Sequence, residues 1–386
     1  MRILHTSDWH LGRALHHVSL LEAQRVFLDH LVETARDERV DVVVVAGDVY
    51  DRAIPALDAI GLFEHVLNQL ADLRIPLVMI SGNHDSPRRL GVTSALIERA
   101  GIHLRTDHTR CARPVVLDDE HGPVAFYGLP YLEPALVCAD LGADKPSHEA
   151  VLSAAMGQVR ADLATRLPGT RSVVLAHAFV SGADTSQSER DITAGGVPSV
   201  AASVFEGADY VALGHLHRCQ KVSDRIRYSG SPLAYSFSEA GYPKAMWLVD
   251  LAADATVTAR KIPCPVPRPL HELTGRLDDL IADPHHSAHE ESWLHVTLTD
   301  RDHPLMAMER LRQRFPHTLH LSFAPEGDPA AEAASYRTRV RGLTDHEITL
   351  GFLDHVTRIP ATAPEQELLR QGLEEVRTAA AQREAH

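Results

Sequence analysis

The sequence predicts an α/β protein built around a parallel sheet, on three observations. Residues 40–51 read VDVVVVAGDVYD, a valine run that stops abruptly at Gly47-Asp48. An apolar run of this kind is a strand buried on both faces, with helices covering each side. Residues 2–80 alternate strand, helix, strand, helix, strand. A cluster of acids, amides or histidines follows each of these strands, and the carboxyl ends of strands are where open α/β sheets place their chemistry.

Taken in order, a strand over 2–6 ends in Ser7-Asp8-Trp9-His10-Leu11-Gly12. A helix over about 20–37 presents Leu21, Phe27, Leu28, Leu31 and Ala35 on one face. After the 40–46 strand, a helix opens at Pro55, a favoured first-turn residue, with Ile60, Phe63, Leu67 and Leu70 as its core stripe. The strand over 75–80 ends in Ser81-Gly82-Asn83-His84-Asp85. Short strands at 115–117 and 124–127 flank an acidic turn. A helix over 148–167 leads into a buried strand over 172–176 that ends at His177. A Ser/Gly-rich loop over 182–196 precedes a buried strand over 210–213, which ends in Gly214-His215-Leu216-His217. The segment from Ile226, with strands over 245–251 and 256–261, is expected to form a second sheet packed on the first.

Residues 263–269 hold four prolines and mark a domain boundary. Beyond them, Leu294, Val296 and Leu298 alternate with polar residues, a helix follows over 304–314, and Leu319, Leu321 and Phe323 alternate again. This is a small strand–helix–strand unit. Residues 326–334 read as a linker. Two helices close the chain, opening at the capping boxes Thr344-x-x-Glu347 and Thr362-x-x-Glu365. Their apolar positions are Ile348, Phe352 and Val356, then Leu369, Leu373 and Val376.

A chain of 386 residues builds one large core with smaller additions. Its net charge of −14 argues against a free-standing, non-specific nucleic-acid binder, so any work on DNA needs bound cations, a local basic groove or a partner. No apolar run approaches the roughly 20 residues that span a bilayer. The first residues read as a strand rather than a signal peptide. Cys111, Cys138, Cys219 and Cys264 form no CxxC pair, which suits a reducing cytoplasm and argues against a zinc knuckle. His285, His286 and His289 sit in a proline-flanked loop with no strand to fix them, and are not read as a metal site.

The chemistry rests on five clusters, each just after a predicted strand: Asp8/His10, Asp48, Asn83/His84, His177 and His215/His217. Imidazole with carboxylate oxygen and no thiolate suits Mn, Fe or Zn in a catalytic centre. Asp48 has two oxygens and is expected to bridge two ions, and an ion pair of that kind serves in-line phosphoryl displacement. Asn83 adds a neutral oxygen, which keeps the centre from repelling phosphate. His84 is expected to act as general acid at the leaving oxygen, with Asp85 orienting its ring. Trp9 is expected to pack beneath the centre.

Taken together, TSDWHLGR (6–13), LLEAQ (20–24), AGDVYDR (46–52), SGNHDSPRRL (81–90), GHLHR (214–218) and YSGSPLAYSFSE (228–239) resemble the calcineurin-like metallophosphoesterases. Within them the likeness is to the SbcD nuclease branch of bacterial SbcCD complexes, related to the double-strand-break repair nucleases. The resemblance implies a four-layer α/β/β/α sandwich over 1–265, a small α+β capping, DNA-binding domain over 270–330, and helices over 335–386 that dock a coiled coil. It implies one ion held by Asp8, His10, Asp48 and His217, and another held by Asp48, Asn83, His177 and His215. The ions would be Mn²⁺, with His84 catalytic and Asp85 beside it. It implies an ATP-dependent exonuclease and endonuclease that cleaves DNA ends and hairpins in recombination, repair and replication. Its partners would be DNA, double- or single-stranded, and a coiled-coil SMC-like ATPase of the SbcC type, with a homodimer inside a C2D2 heterotetramer and a place at the nucleoid. Arg13, Arg52, Arg88 and Arg89 lie beside the metal motifs and are candidates for DNA phosphate contacts. A bimetallic phosphatase for small or protein substrates is the alternative on the same core, and a non-catalytic DNA-end adaptor is a third reading.

Overall fold

The expected strands of the first 270 residues build two six-stranded sheets, beside a short two-stranded one. In this computed structural model, residues 1–184, 199–325, 343–357 and 359–384 are described. The expected linker over 326–334, and most of the expected loop over 182–196, lie outside them. The chain divides into two compact units, Met1–Leu270 and His271–His386.

The larger unit contains, in order, β1 (Arg2–Thr6), β2 (Ala14–Leu15), β3 (Val18–Ser19), α1 (Leu21–Asp37), β4 (Val42–Ala46), α2 (Leu57–Asp72), β5 (Leu77–Ile80), α3 (Pro87–Leu90), α4 (Ser94–Ile97) and β6 (Ile102–Arg105). It continues with β7 (Val115–Asp119), β8 (Gly122–Leu129), α5 (Pro134–Leu141), α6 (His148–Leu163), β9 (Arg171–His177), β10 (Tyr210–Gly214), β11 (Gln220–Lys221), β12 (Ile226–Tyr228), β13 (Ala245–Leu251) and β14 (Val257–Pro263). One sheet has the order β14-β13-β1-β4-β5-β6, the other β11-β12-β10-β9-β8-β7. β1, β4, β5 and β6 run parallel, as do β8, β9, β10 and β12.

Period-two alternation sends each strand's side chains to two different cores. Leu4, Val43, Val45, Leu77 and Met79 pack with α1 and α2 through Phe27, Leu31, Phe63 and Val66. Ile3, Val42, Val44, Val78 and Ile80 face Phe126, Val173, Leu175 and Ala212 of the second sheet. Ala125, Tyr127, Val174 and Val211 of that sheet pack outward with Val151, Leu152 and Met156 of α6. The result is the α/β/β/α sandwich.

Two expectations change. β13 and β14 belong to the first sheet, because β13 pairs antiparallel with β1, Ile3 opposite Val249 and His5 opposite Trp247. Local alternation reports that a strand exists but not which edge it joins. In α2 the buried stripe is Ala59, Leu62, Phe63, Val66 and Leu70, while Ile60 is 40% exposed. The stripe is rotated from the one expected, and the small Ala59 is what can lie against Gly12, where an added Cβ would come within 3.2 Å of the Ala59 Cβ.

Arg171 ties the sheets together. It is 2% exposed, and its guanidinium donates to the Asp119 carboxylate, to Gly122 O at 3.0 Å and to Leu251 O of β13 at 3.2 Å. Burial works against ionised Asp119, yet the Arg171 hydrogen bond holds its carboxyl well below the usual range. A depressed folded-state pKa stabilises above the unfolded value near 3.9 and is lost as pH falls through the folded one. Asp119→Asn is expected to cost about 3 kcal/mol at pH 7, the cost of stranding a buried cation. In urea melts at pH 7 and at about pH 2, the gap from wild type narrows at the lower pH.

The smaller unit contains β15 (Leu270–Gly275), α7 (Leu277–Ala282), β16 (Trp293–Leu298), α8 (Ala307–Arg314), β17 (Thr318–Phe323), α9 (Asp345–Thr357) and α10 (Ala363–Glu384). β15, β16 and β17 form a three-stranded sheet in that order. Leu294, Val296 and Leu298 pack on Leu277, Leu280, Leu311 and Phe315. β15 and α7 were not expected. Phe323, expected inward, is 37% exposed on an edge strand. Both capping boxes form: Thr344 N and Thr362 N each donate to a Glu Oε2 at 2.7 Å, from Glu347 and Glu365.

Candidate metal centre

The carboxyl ends of five strands from both sheets meet in one place. Asp8 and His10 follow β1, Asp48 follows β4, and Asn83 and His84 follow β5. His177 is the last residue of β9, and His215 and His217 follow β10. The turns that carry these residues are strained. Asp8, His10, Asp48 and His215 have φ of 53°, 45°, 50° and 102°, a region that costs a non-glycine residue about 1–3 kcal/mol. Neighbouring loops clamp them: Asp8 N donates to Gly47 O and His10 N to Asp48 O, both at 3.0 Å. Close approach requires glycine at two points. A Cβ on Gly82 would collide with the Asp48 carboxylate, and one on Gly214 would collide with Ala46 O.

All seven residues expected as ligands fall in one cluster. Donor atoms of Asp8/His10/His217, of His10/Asp48/His84 and of Asp8/Asp48/His177 lie within 4.8 Å of one another. Asp48 Oδ2 lies 3.6 Å from His10 Nε2 and 3.4 Å from His177 Nε2. Asn83 Oδ1 lies 2.9 Å from His177 Nε2 and 3.2 Å from His215 Nδ1. Asp8 and Asp48 are 0% and 1% exposed, and the four histidines other than His84 are at most 4% exposed.

The donor set fits cations. His177 Nδ1 donates to Ala46 O at 2.8 Å, which leaves Nε2 as the ring atom that faces the Asn83 and Asp48 oxygens. His217 Nδ1 faces Glu239 Oε1 at 3.2 Å, so its Nε2 lone pair points at His10 Nε2, 3.2 Å away. Carboxylate, amide and imidazole groups converging in a buried space need a positive species among them, a proton or a metal cation. Electrostatics agree. Burial lowers His177, yet the Asp48 carboxylate overrides it and pushes the ring up to about 9. Burial raises Asp8 to about 6. His10 Nδ1 is buried with no hydrogen-bond partner among the described residues.

His84 stands half-exposed beside the cluster, its ring centroid 4.6 Å from that of His10. Asp85 does not orient it. The Asp85 carboxylate accepts from the backbone amides of Val49, Tyr50 and Gly82 at 2.9–3.1 Å, which uses both its oxygens to fasten the Asp48 turn. The His84 ring is held instead by Asp51 O, 2.9 Å from Nδ1. Arg13 is engaged by Asp51 Oδ1 at 3.2 Å and lies over the Tyr235 ring, whereas Arg52, Arg88 and Arg89 are exposed. Trp9 is fully buried, packs edge-on to Phe27 and donates to Thr6 Oγ1 at 3.0 Å.

Two supporting groups were missed although their motifs were quoted. Gln24, 0% exposed on α1, donates to His10 O at 2.7 Å and accepts from Gly12 N at 3.0 Å. Glu239, 1% exposed, holds His217 and is itself paired with Lys244, whose Nζ also donates to Ser231 Oγ at 2.9 Å and His217 O at 3.0 Å. A glutamine inside an apolar helix face and a glutamate closing an otherwise uncharged motif were the available signals. Glu239→Gln paired with Lys244→Met, which strands no charge, is expected to weaken Mn²⁺ binding about 10–100-fold. Titration of metal-stripped protein measures this, with circular dichroism unchanged.

The sequence model of the calcineurin-like phosphoesterase family matches residues 1–219. The chain belongs to this family. A second model, SbcD_C, described as a type 5 capsule protein repressor C-terminal domain, matches residues 266–357. Together these matches support an SbcD-type nuclease subunit in the metallophosphoesterase superfamily. The chain is a metal-dependent phosphoesterase by family, and its fold and donor cluster point to a dimetal site. Similar solved structures include TT1561 of Thermus thermophilus, at 14% identity over 67% of this chain and 98% of that one, TM-score 0.37. Another is an archaeal phosphodiesterase, at 13% identity over 68% and 100%, TM-score 0.31. A third is a dimetal phosphatase from Danio rerio, at 14% identity over 68% and 98%, TM-score 0.35. Among the described residues no helix is long and apolar enough to cross a membrane.

Proposed function

We propose that the chain is the Mn²⁺-dependent DNA exonuclease and endonuclease subunit of an ATP-dependent, SMC-like complex acting at DNA ends and hairpins. The observation that carries this reading is the pairing of a phosphodiesterase donor cluster with the SbcD-type C-terminal match. Asp8, His10, Asp48 and His217 would hold one ion, and Asp48, Asn83, His177 and His215 the other. Bound divalent cations supply an activated water and offset the charge of the phosphodiester displacement. The remaining work falls to the chain. Asp85 and the paired amides fix the Asp48 turn, Glu239 fixes His217, and His84, its Nδ1 tied to Asp51 O, offers Nε2 to protonate the leaving 3′ oxygen. Arg52, Arg88 and Arg89, all exposed, would meet DNA phosphates.

The partner reading rests on α9 and α10. Phe352, Val356, Leu368 and Val376 are 53%, 50%, 71% and 66% exposed, an apolar surface suited to a coiled-coil groove. Residues 1–265 would be the nuclease domain, 270–330 the cap on DNA and 335–386 the dock for the SbcC-type ATPase, in a C2D2 heterotetramer working at the nucleoid in recombination, repair and replication. The test is cleavage of linear and hairpin DNA with Mn²⁺, with and without the co-expressed ATPase, beside nitrophenyl phosphate monoesters. Strong monoester turnover without DNA cleavage would replace this reading with the phosphatase.

A further inference from the structure

A cavity of about 1150 Å³ opens at Asn83 and Gly82 and runs away from the metal centre between two walls. One wall is α3, α4 and the end of β6 with the turn after it, and carries Arg88, Arg105, Arg110 and Arg113. The opposite wall begins at Pro130 and Tyr131 and continues into α5. The volume exceeds that of a pocket for one small ligand, roughly 300–1,000 Å³, and suits a segment of polymer.

The charges in this groove are not equal. Its acids are largely committed. Asp85 is absorbed by three backbone amides, Glu98 accepts from Arg105 at 2.7 Å and from His103 at 3.1 Å, and Asp107 caps Thr109 N at 3.0 Å. Glu133 accepts from the Tyr131 hydroxyl at 3.3 Å. Arg88 and Arg113 are exposed, and among the described residues no hydrogen bond or ion pair holds either guanidinium. Arg110 has only an exposed pair with Asp107 at 3.2 Å. In a chain of net charge −14, cations left without counter-ions beside a phosphodiesterase centre are placed for an anion. Between them lies an apolar strip that includes Leu104, Pro114, Pro130 and Val137. At the inner end the Tyr131 ring is edge-on to His177 with centroids 6.2 Å apart.

We propose that this groove binds an unpaired nucleic-acid strand leading away from the phosphate to be cleaved, with phosphates on Arg88, Arg110 and Arg113 and bases against Tyr131 and the apolar strip. The inference rests on the nuclease reading and deepens it. A cationic track beside an aromatic platform is how proteins hold single strands without reading sequence. A duplex keeps the faces of its bases stacked inside, so it leaves the apolar strip and the Tyr131 ring unused.

The experiment compares full-length wild type with Arg110→Glu/Arg113→Glu, both surface residues whose replacement leaves the core intact. Anisotropy of a labelled oligothymidylate and of a blunt duplex of equal length gives affinities across a salt series. Hydrolysis of bis-nitrophenyl phosphate with Mn²⁺ checks the centre. The variant is expected to lose about tenfold or more in oligothymidylate affinity, with a shallower salt dependence. Duplex affinity should change less than about twofold, and diester turnover should hold. Unchanged oligothymidylate affinity, or equal losses on both DNAs, overturns the groove. If wild type hydrolyses the diester but neither binds nor cuts DNA, the nuclease reading itself fails.

Discussion

Asp48→Ala is expected to empty the centre of metal. Asp48 Oδ2 is the oxygen that both His10 and His177 approach, so its loss removes the one carboxylate common to both expected ligand sets. Asp48 Oδ1 also accepts from His84 N at 2.9 Å, so alanine frees the loop carrying Asn83 and His84 as well. Mn²⁺ affinity should fall more than the 10–100-fold typical of losing a supporting group. Measured by elemental analysis after dialysis against micromolar Mn²⁺, wild type retains about two ions and the variant none. Asp48→Asn keeps an oxygen for His84 N and separates the two effects: it preserves the loop yet still loses metal. Full occupancy in Asp48→Asn would remove Asp48 from the bridging position.

His84→Ala is expected to reduce cleavage about 10²–10⁴-fold, the usual worth of a positioned acid, while leaving ion content unchanged. His84 is set apart from the seven donors by what holds it. Its Nδ1 is spent on Asp51 O, and it is half-exposed where the other histidines are buried. The loss should fall on kcat, with KM for DNA little changed, because a proton delivered to a departing oxygen matters only in the transition state. A substrate with a nitrophenolate leaving group, which needs no proton, should be cut at near wild-type rate by the variant. Equal losses on both substrates would reassign His84 to holding the centre together.

Much of the site was legible because each donor sits within a few residues of an apolar run. Gly47-Asp48 ends a valine strand, and in Gly214-His215-Leu216-His217 a single residue separates two histidines just after another strand. What was not legible depends on distance in sequence. β13 joins β1 across some 240 residues, and nothing in residues 245–251 encodes that edge. Adjacency misled at Asp85, whose neighbour in sequence is His84 but whose partners in space are three amides. Glu239 lies 22 residues from the histidine it braces, and only folding brings them together. In α2, spacing alone allowed two stripes, and the choice fell to Ala59, small enough to nest beside Gly12.

Three of the donor-bearing turns hang from one sheet and two from the other. A cation gripped from both sides works as a rivet through the sandwich, since it has its full set of partners only when the two halves are seated. Mass action then makes the ion supply part of the mechanical security of the fold. Starvation for metal would loosen the seam where these halves join as well as silence the chemistry.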